Sequence, residues 1–359
     1  MAPLLSRREW IAMSASVAAA PALDAAPASR VRLSLNENAW GPSPRVPPAI
    51  RAAAAGVERY VEQAEVDALT RQIARLEQVA PEQVVIGEVL EALGLYLARQ
   101  RQGGGGIVFS SPGYTALVDA AAPLGGRGVP VPLDARLEND LPALAGAIDD
   151  KTLAVSLVNP HNPSGTVSDT AAWHAFIVKA AGRALVVVDE AYLEYDDLAA
   201  RSAISHVREG RNVLVFRTLA KVYGLAGLSI GYAVAPTALA RGLREAGIGA
   251  PHSLSRPSLA AAGAALVDQA HVADVRRRTA SERQRLHAAL DALALRHTDS
   301  RASYVFFQSA AADRIRAAAA VAGVEIAHAF PPLDDWVRVT IGLPVENDRF
   351  LSILRQVVQ

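Results

Sequence analysis

Hydrophobic positions along this chain follow two rhythms in alternation. Short apolar runs rich in Val, Ile and Leu occur at Val84-Val85-Ile86, Ile107-Val108-Phe109, Val129 to Leu133, Leu153 to Val158, Ala184 to Val188 and Val213 to Phe216. Runs of this length, apolar on successive positions, read as strands buried on both faces. Between them the spacing changes to three and four. Val66, Leu69, Ile73 and Leu76 share one helical face, with Pro81 expected to end that helix, and Leu90 to Arg99 reads as another helix. Strand and helix in alternation predict a mostly parallel sheet with right-handed crossovers and helices on both sides, a three-layer αβα arrangement. Gly103 to Gly106 lacks the lysine and hydroxyl of a phosphate loop and reads as a flexible link from helix to strand.

After about Ser255 the rhythm changes. His271 to Leu293 carries Arg and Glu at helical spacing, a solvated linking helix whose Arg276-Arg277-Arg278 is its wet face. Tyr304 to Phe307 and Val337 to Ile341 read as strands of a smaller α+β unit, with an Ala-rich helix from Ala310 to Ala322 between them. The expected division is therefore a leader over 1–28, an arm over 29–55, a large domain over 56–254 and a small C-terminal domain over 255–359. A chain of 359 residues, 51% hydrophobic, has core enough for two domains.

Composition narrows the chemistry. The 36 basic and 36 acidic residues balance, which gives no general attraction to nucleic acid or membrane. With no cysteine, thiol catalysis, thiolate metal sites and disulfides are excluded, and the eight histidines show no zinc spacing. Metal is not expected. The first 28 residues read as an export signal: Ser6-Arg7-Arg8-Glu9-Trp10-Ile11 resembles a twin-arginine motif, followed by a mild apolar stretch from Ala12 to Ala20. The expected location is periplasmic, or cytoplasmic should the Arg pair be incidental. No apolar run is long enough to span a membrane.

Candidate chemistry gathers at three strand ends. Val213 to Phe216 leads through Thr218 to Lys221, a lone lysine among aliphatic and small residues. An amine shielded in this way tends towards its neutral form, which is the nucleophile for a carbonyl. On its own, a lysine at a strand end is more often a snorkelling surface residue than a catalyst. Ala184 to Val188 ends in Asp189-Glu190-Ala191-Tyr192, and Leu153 to Val158 in Asn159-Pro160-His161-Asn162-Pro163-Ser164-Gly165. Ligands of open α/β sheets sit at the carboxyl ends of strands, so Asn162, Asp189, Tyr192 and Lys221 are expected in one crevice.

That constellation resembles the fold-type I pyridoxal-phosphate (PLP) enzymes, in particular class I/II aminotransferases near histidinol-phosphate aminotransferase. The likeness runs from about Leu33 to the C-terminus and includes Leu35-Asn36-Glu37-Asn38, Ser111-Pro112-Gly113-Tyr114 and Arg338-Val339-Thr340-Ile341-Gly342. It implies amino transfer between an L-amino acid and a 2-oxo acid in a homodimer. Lys221 would form the Schiff base and Asp189 would pair with the pyridine nitrogen. Asn162 and Tyr192 would bond the ring oxygen, and Tyr114 would stack on the ring. Thr218 would bind phosphate, as would Tyr60 from across the dimer interface, while Arg338 would hold the substrate carboxylate. Asn36, Asn38 and Trp40, in an arm that packs beside the active site, would help hold substrate. Other PLP reactions (decarboxylation, racemisation, a biosynthetic rearrangement) use the same residues, and a non-catalytic binding protein is a further alternative. The sequence departs from the family at the phosphate end: Ala220 replaces Ser, Ser229 replaces Arg, and Gly87-Glu88-Val89-Leu90-Glu91 replaces a turn of small residues, with Val89 among the changes. Looser cofactor binding is the expectation.

Overall fold

In the computed structural model of the chain, residues 30–100 and 104–359 are described; the twin-arginine segment lies outside them. Contacts gather residues Arg32–Gln359 into one compact unit. Its strands, in chain order, are β1 (Val31–Leu33), β2 (Val84–Ile86), β3 (Gly105–Ser111), β4 (Gly126–Pro132), β5 (Thr152–Val158), β6 (Leu185–Asp189), β7 (Val213–Thr218), β8 (Gly231–Val234), β9 (Tyr304–Gln308), β10 (Val324–Ile326) and β11 (Trp336–Thr340). Seven of them form the central sheet in the order β2-β8-β7-β6-β5-β3-β4. β4, β3, β5, β6 and β7 run parallel, while β8 is antiparallel to both β7 and β2. β9 and β11 form a separate antiparallel pair in which Arg338 faces Phe306.

The apolar runs become strands because both faces are covered. Every residue of β6 and β7 is buried. Val186, Val188 and Val215 pack into one side-chain cluster, and Leu185, Val187 and Leu214 into another, so alternate residues feed opposite layers. This is the three-layer αβα architecture, with a smaller α+β layer near the C-terminus.

Several local expectations are corrected. Gly105 and Gly106 lie in β3 rather than in a link, paired with Gly126 and Arg127 of β4, and position 105 is glycine because a Cβ there would run into the Leu153 side chain. The helix Gln63–Glu77 ends before Pro81, stopped by left-handed Gln78 (φ 53°), and Pro81 opens a short 3-10 turn. The reversed strand β8 gave no pattern distinct from the lysine segment that precedes it. Of the basic triplet, Arg277 and Arg278 pair with Asp274 in water, whereas Arg276 is half-buried and donates to Asp196 O.

One polar assembly crosses the core. Arg217, on β7, donates to Glu77 (2.8 Å), Glu190 (2.9 Å) and the Ser202 hydroxyl (2.9 Å), and the Tyr232 hydroxyl donates to Glu77 at 2.6 Å. All five are buried. Through it β7, which leads into the Lys221 segment, is tied to the Gln63–Glu77 helix and to the segment after Asp189.

Candidate active site

β5, β6 and β7 lie side by side in the sheet, so their carboxyl ends share one edge. Past the strands the backbone stays in register: Asn159 N–H donates to Asp189 O (3.0 Å) and Glu190 N–H to Phe216 O (2.9 Å). The three motif-bearing turns are thereby held against one another.

Lys221 Nζ donates to Leu35 O at 3.0 Å and lies 5.7 Å from the centre of the Tyr192 ring. Asp189 is buried, and its Oδ1 accepts the Ala191 N–H at 2.9 Å. Burial is the main force pushing its carboxyl up to about 7; the Ala191 N–H opposes this, Glu88 adds to it and Lys221 counters it. A carboxyl so placed is short of positive charge, and a ring cation beside it would restore the ionised form. Tyr192 OH accepts from Asn36 Nδ2 (3.0 Å), and Asn36 is itself locked to Thr340 through its own N–H (2.9 Å) and Oδ1 (3.1 Å).

Arg338 arrives from β11. It donates to Asn162 Oδ1 and to Ser34 O, its guanidinium sits 4.8 Å from the Phe330 ring centre, and its Nε is buried without a partner. Among the described residues no carboxylate pairs with it, and burial lowers its pKa. A buried guanidinium lacking a counter-ion is costly, and its forked donors match a carboxylate.

Asn36, Tyr114, Asn162, Tyr192, Lys221 and Arg338 line one cavity of about 860 Å³, completed by Leu35, Glu91, His328 and Phe330 among others. Tyr114 is half-exposed there, and its hydroxyl is pushed up to about 12, first by burial and then by Asp189. Asp189 and Thr218, both buried, are not part of the lining. Asn38 is not in the lining either: its Nδ2 donates to Gly41 O and Val222 O, and its Oδ1 accepts the Trp40 N–H. It pins the arm to the lysine segment. Tyr60 is 85% exposed and outside the cavity.

At the altered end, Gly87 (φ 132°) bonds its N–H to Gly231 O, and Glu88 follows just before the helix Val89–Gln100. Thr218 Oγ1 donates to Glu88 Oε1 at 2.9 Å and accepts the Ala220 N–H at 3.1 Å. Burial raises the Glu88 pKa, against the pull of Thr218 and Lys221. Val89 is wholly buried in the core, and Ser229 is exposed in a left-handed turn (φ 44°). Sequence reasoning missed the lining role of His328 and Phe330, which lie in an irregular segment with no periodicity. It also missed the Glu88 contact, although an acid between strand and helix was there to be seen.

An amine and a carboxyl at the ends of adjacent parallel strands, with a buried guanidinium that no carboxylate pairs among the described residues, define a site built for a carbonyl cofactor and a carboxylate substrate. Residues 29–354 match the family of class I and II aminotransferases, and the chain belongs to it. It is 31% identical to a histidinol-phosphate aminotransferase from Moorella thermoacetica, over 91% of this chain and 85% of that one. It is 35% identical to an aromatic amino acid aminotransferase from Rhodococcus jostii, over 90% and 88%. Among solved structures it resembles histidinol-phosphate aminotransferase from Sinorhizobium meliloti in complex with pyridoxal-5'-phosphate, with TM-score 0.83, 30% identity and coverage of 92% and 90%.

Proposed function

We propose that the chain is a PLP-dependent aminotransferase that moves an amino group between an L-amino acid and a 2-oxo acid, with Lys221 as the lysine that binds the cofactor aldehyde. The observation that carries this reading is the pairing of Lys221 and the cation-seeking Asp189 on neighbouring strand ends, facing a guanidinium that lacks a carboxylate. The ring end of the site fits the cofactor. Asp189 would hold the ring nitrogen protonated, Asn162 and Tyr192 would bond the ring oxygen, and Tyr114 would cover one ring face. When bound, PLP supplies the electron sink for carbanion chemistry. With the cofactor bound, Lys221 Nζ would hold its aldehyde carbon, and the Lys221 amine would serve as the base for the substrate α-proton. Arg338 orients the carboxylate, and Asn36 holds the Tyr192 hydroxyl in position.

Relatives acting on histidinol phosphate and on aromatic amino acids leave the donor open between these classes; Phe330, Tyr114 and Leu35 in the lining favour a ring-bearing side chain. We further propose export through the twin-arginine route, which carries folded, cofactor-loaded protein. Among the described residues no helix is long and apolar enough to cross a membrane. A homodimer would bring Tyr60 to the partner subunit's cofactor phosphate, in keeping with its exposure here.

The test is the near-visible spectrum of the protein with PLP, beside Lys221→Ala. A band in the wild type that the variant lacks, and that a donor amino acid bleaches, is the expected result. A wild type without a band at saturating PLP overturns the reading.

A further inference from the structure

We propose that Glu88 sets this chain's selectivity between the phosphorylated and phosphate-free forms of its cofactor, its carboxyl group standing in the anion position that a phosphate needs. The inference rests on the PLP reading above. It starts from the helix Val89–Gln100, whose twelve residues begin beside the lysine segment. Free N–H groups and the dipole at such an end attract an anion, and the ends of parallel strands are where it would meet one. In this chain a carboxyl group already stands in that neighbourhood. Glu88 immediately precedes the helix, and its carboxyl takes the proton of the Thr218 hydroxyl as a hydrogen bond (2.9 Å). The one proton of the Thr218 hydroxyl is thus committed to Glu88 while its oxygen accepts the Ala220 N–H, so the hydroxyl has no proton for another acceptor in that arrangement.

The charges around Glu88 make the competition unequal. Glu91 of the helix that follows, Asp189 at the end of β6 and the Tyr114 phenol are its titratable neighbours, and the Lys221 ammonium favours its ionised form. A phosphate brought next to an ionised Glu88 is repelled, whereas a protonated Glu88 can donate to it. Burial already favours that protonated form. Binding of the phosphate therefore draws a proton onto Glu88, and the affinity falls as pH rises through the Glu88 pKa. The slope approaches about tenfold per pH unit when one proton is taken up. Pyridoxal, which lacks the phosphate, escapes this linkage.

The experiment is absorbance titration of the full chain with PLP and with pyridoxal, for wild type, Glu88→Gln and Glu88→Ala, from about pH 6 to about pH 9. Thermal unfolding checks that each variant folds; Gln keeps an acceptor for Thr218. The expected result is that Glu88→Gln tightens PLP by about tenfold or more near pH 8 and flattens its pH slope, while pyridoxal changes less than about threefold. Unchanged or weaker PLP binding in variants that keep the Lys221-dependent band overturns the role of Glu88 and leaves the PLP reading intact. No band with either cofactor form in any variant overturns both.

Discussion

Asp189 and Arg338 are the residues whose state most depends on what enters the cavity. The Asp189 carboxyl is raised from its ordinary 3.8 to about 7, so its contribution to stability is complete below about 4 and is lost as pH rises through about 7. Asp189→Asn should accordingly stabilise the cofactor-free protein near pH 8, by roughly 2–4 kcal/mol, with the gain fading towards pH 4. Chemical denaturation at both pH values measures it; a variant less stable than wild type at pH 8 contradicts the burial argument. The same variant should lose most of its transaminase activity, since a neutral amide cannot keep a ring nitrogen protonated. Arg338→Lys retains charge but loses the fork, and should raise KM for the oxo acid by about tenfold to a hundredfold with a smaller effect on kcat. At this scale the sequence was partly legible. Lys221, Asn162 and Arg338 line one cavity while Asp189 is buried outside its lining, and Asn36 and Asn38, two positions apart in one arm, part company. Asn36 has a left-handed backbone (φ 57°) and turns its side chain to Tyr192, whereas Asn38 spends every polar atom on the backbone and on Trp40. A turn that no pattern marks decides between them.

Among the elements, the segment after β7 is clamped from both sides. Gly224 has φ 72°, and a Cβ there would sit 2.8–2.9 Å from the Gly41 and Pro42 backbone, so the arm lies directly upon it. Gly224→Ala should cost more than about 1 kcal/mol and loosen the arm, seen as faster amide exchange over residues 36–42. Below the same strand, Arg217→Leu would leave Glu77 and Glu190 buried without their cation, a loss of about 3–5 kcal/mol by denaturant unfolding. The strands themselves were readable because burial on both faces forces unbroken apolar runs. Short β8 and the glycine-rich start of β3 were not, since their character comes from neighbours in space: Gly105 is small because Leu153 fills the room beside it.

For the molecule as a whole, the order of the sheet was hidden from the sequence, because local rhythm carries no record of which strands become neighbours. That order sets Asn162, Asp189 and Lys221 at the ends of three adjacent strands, and Tyr60 is exposed, as the proposed dimer requires. Sedimentation should find a dimer, and Tyr60→Phe should weaken PLP binding by about tenfold through a loss of roughly 1.5 kcal/mol. A mass corresponding to the monomer at micromolar concentration would remove that role for Tyr60. The distances between the reacting groups are inherited from the roughly 4.8 Å repeat between strands, not from the lengths of the intervening helices. Evolution is thus free to lengthen or exchange the crossovers between β5, β6 and β7 without detuning the chemistry. A single residue inserted inside one of these strands is another matter: it would turn the functional side chain to the opposite layer and silence the enzyme at once.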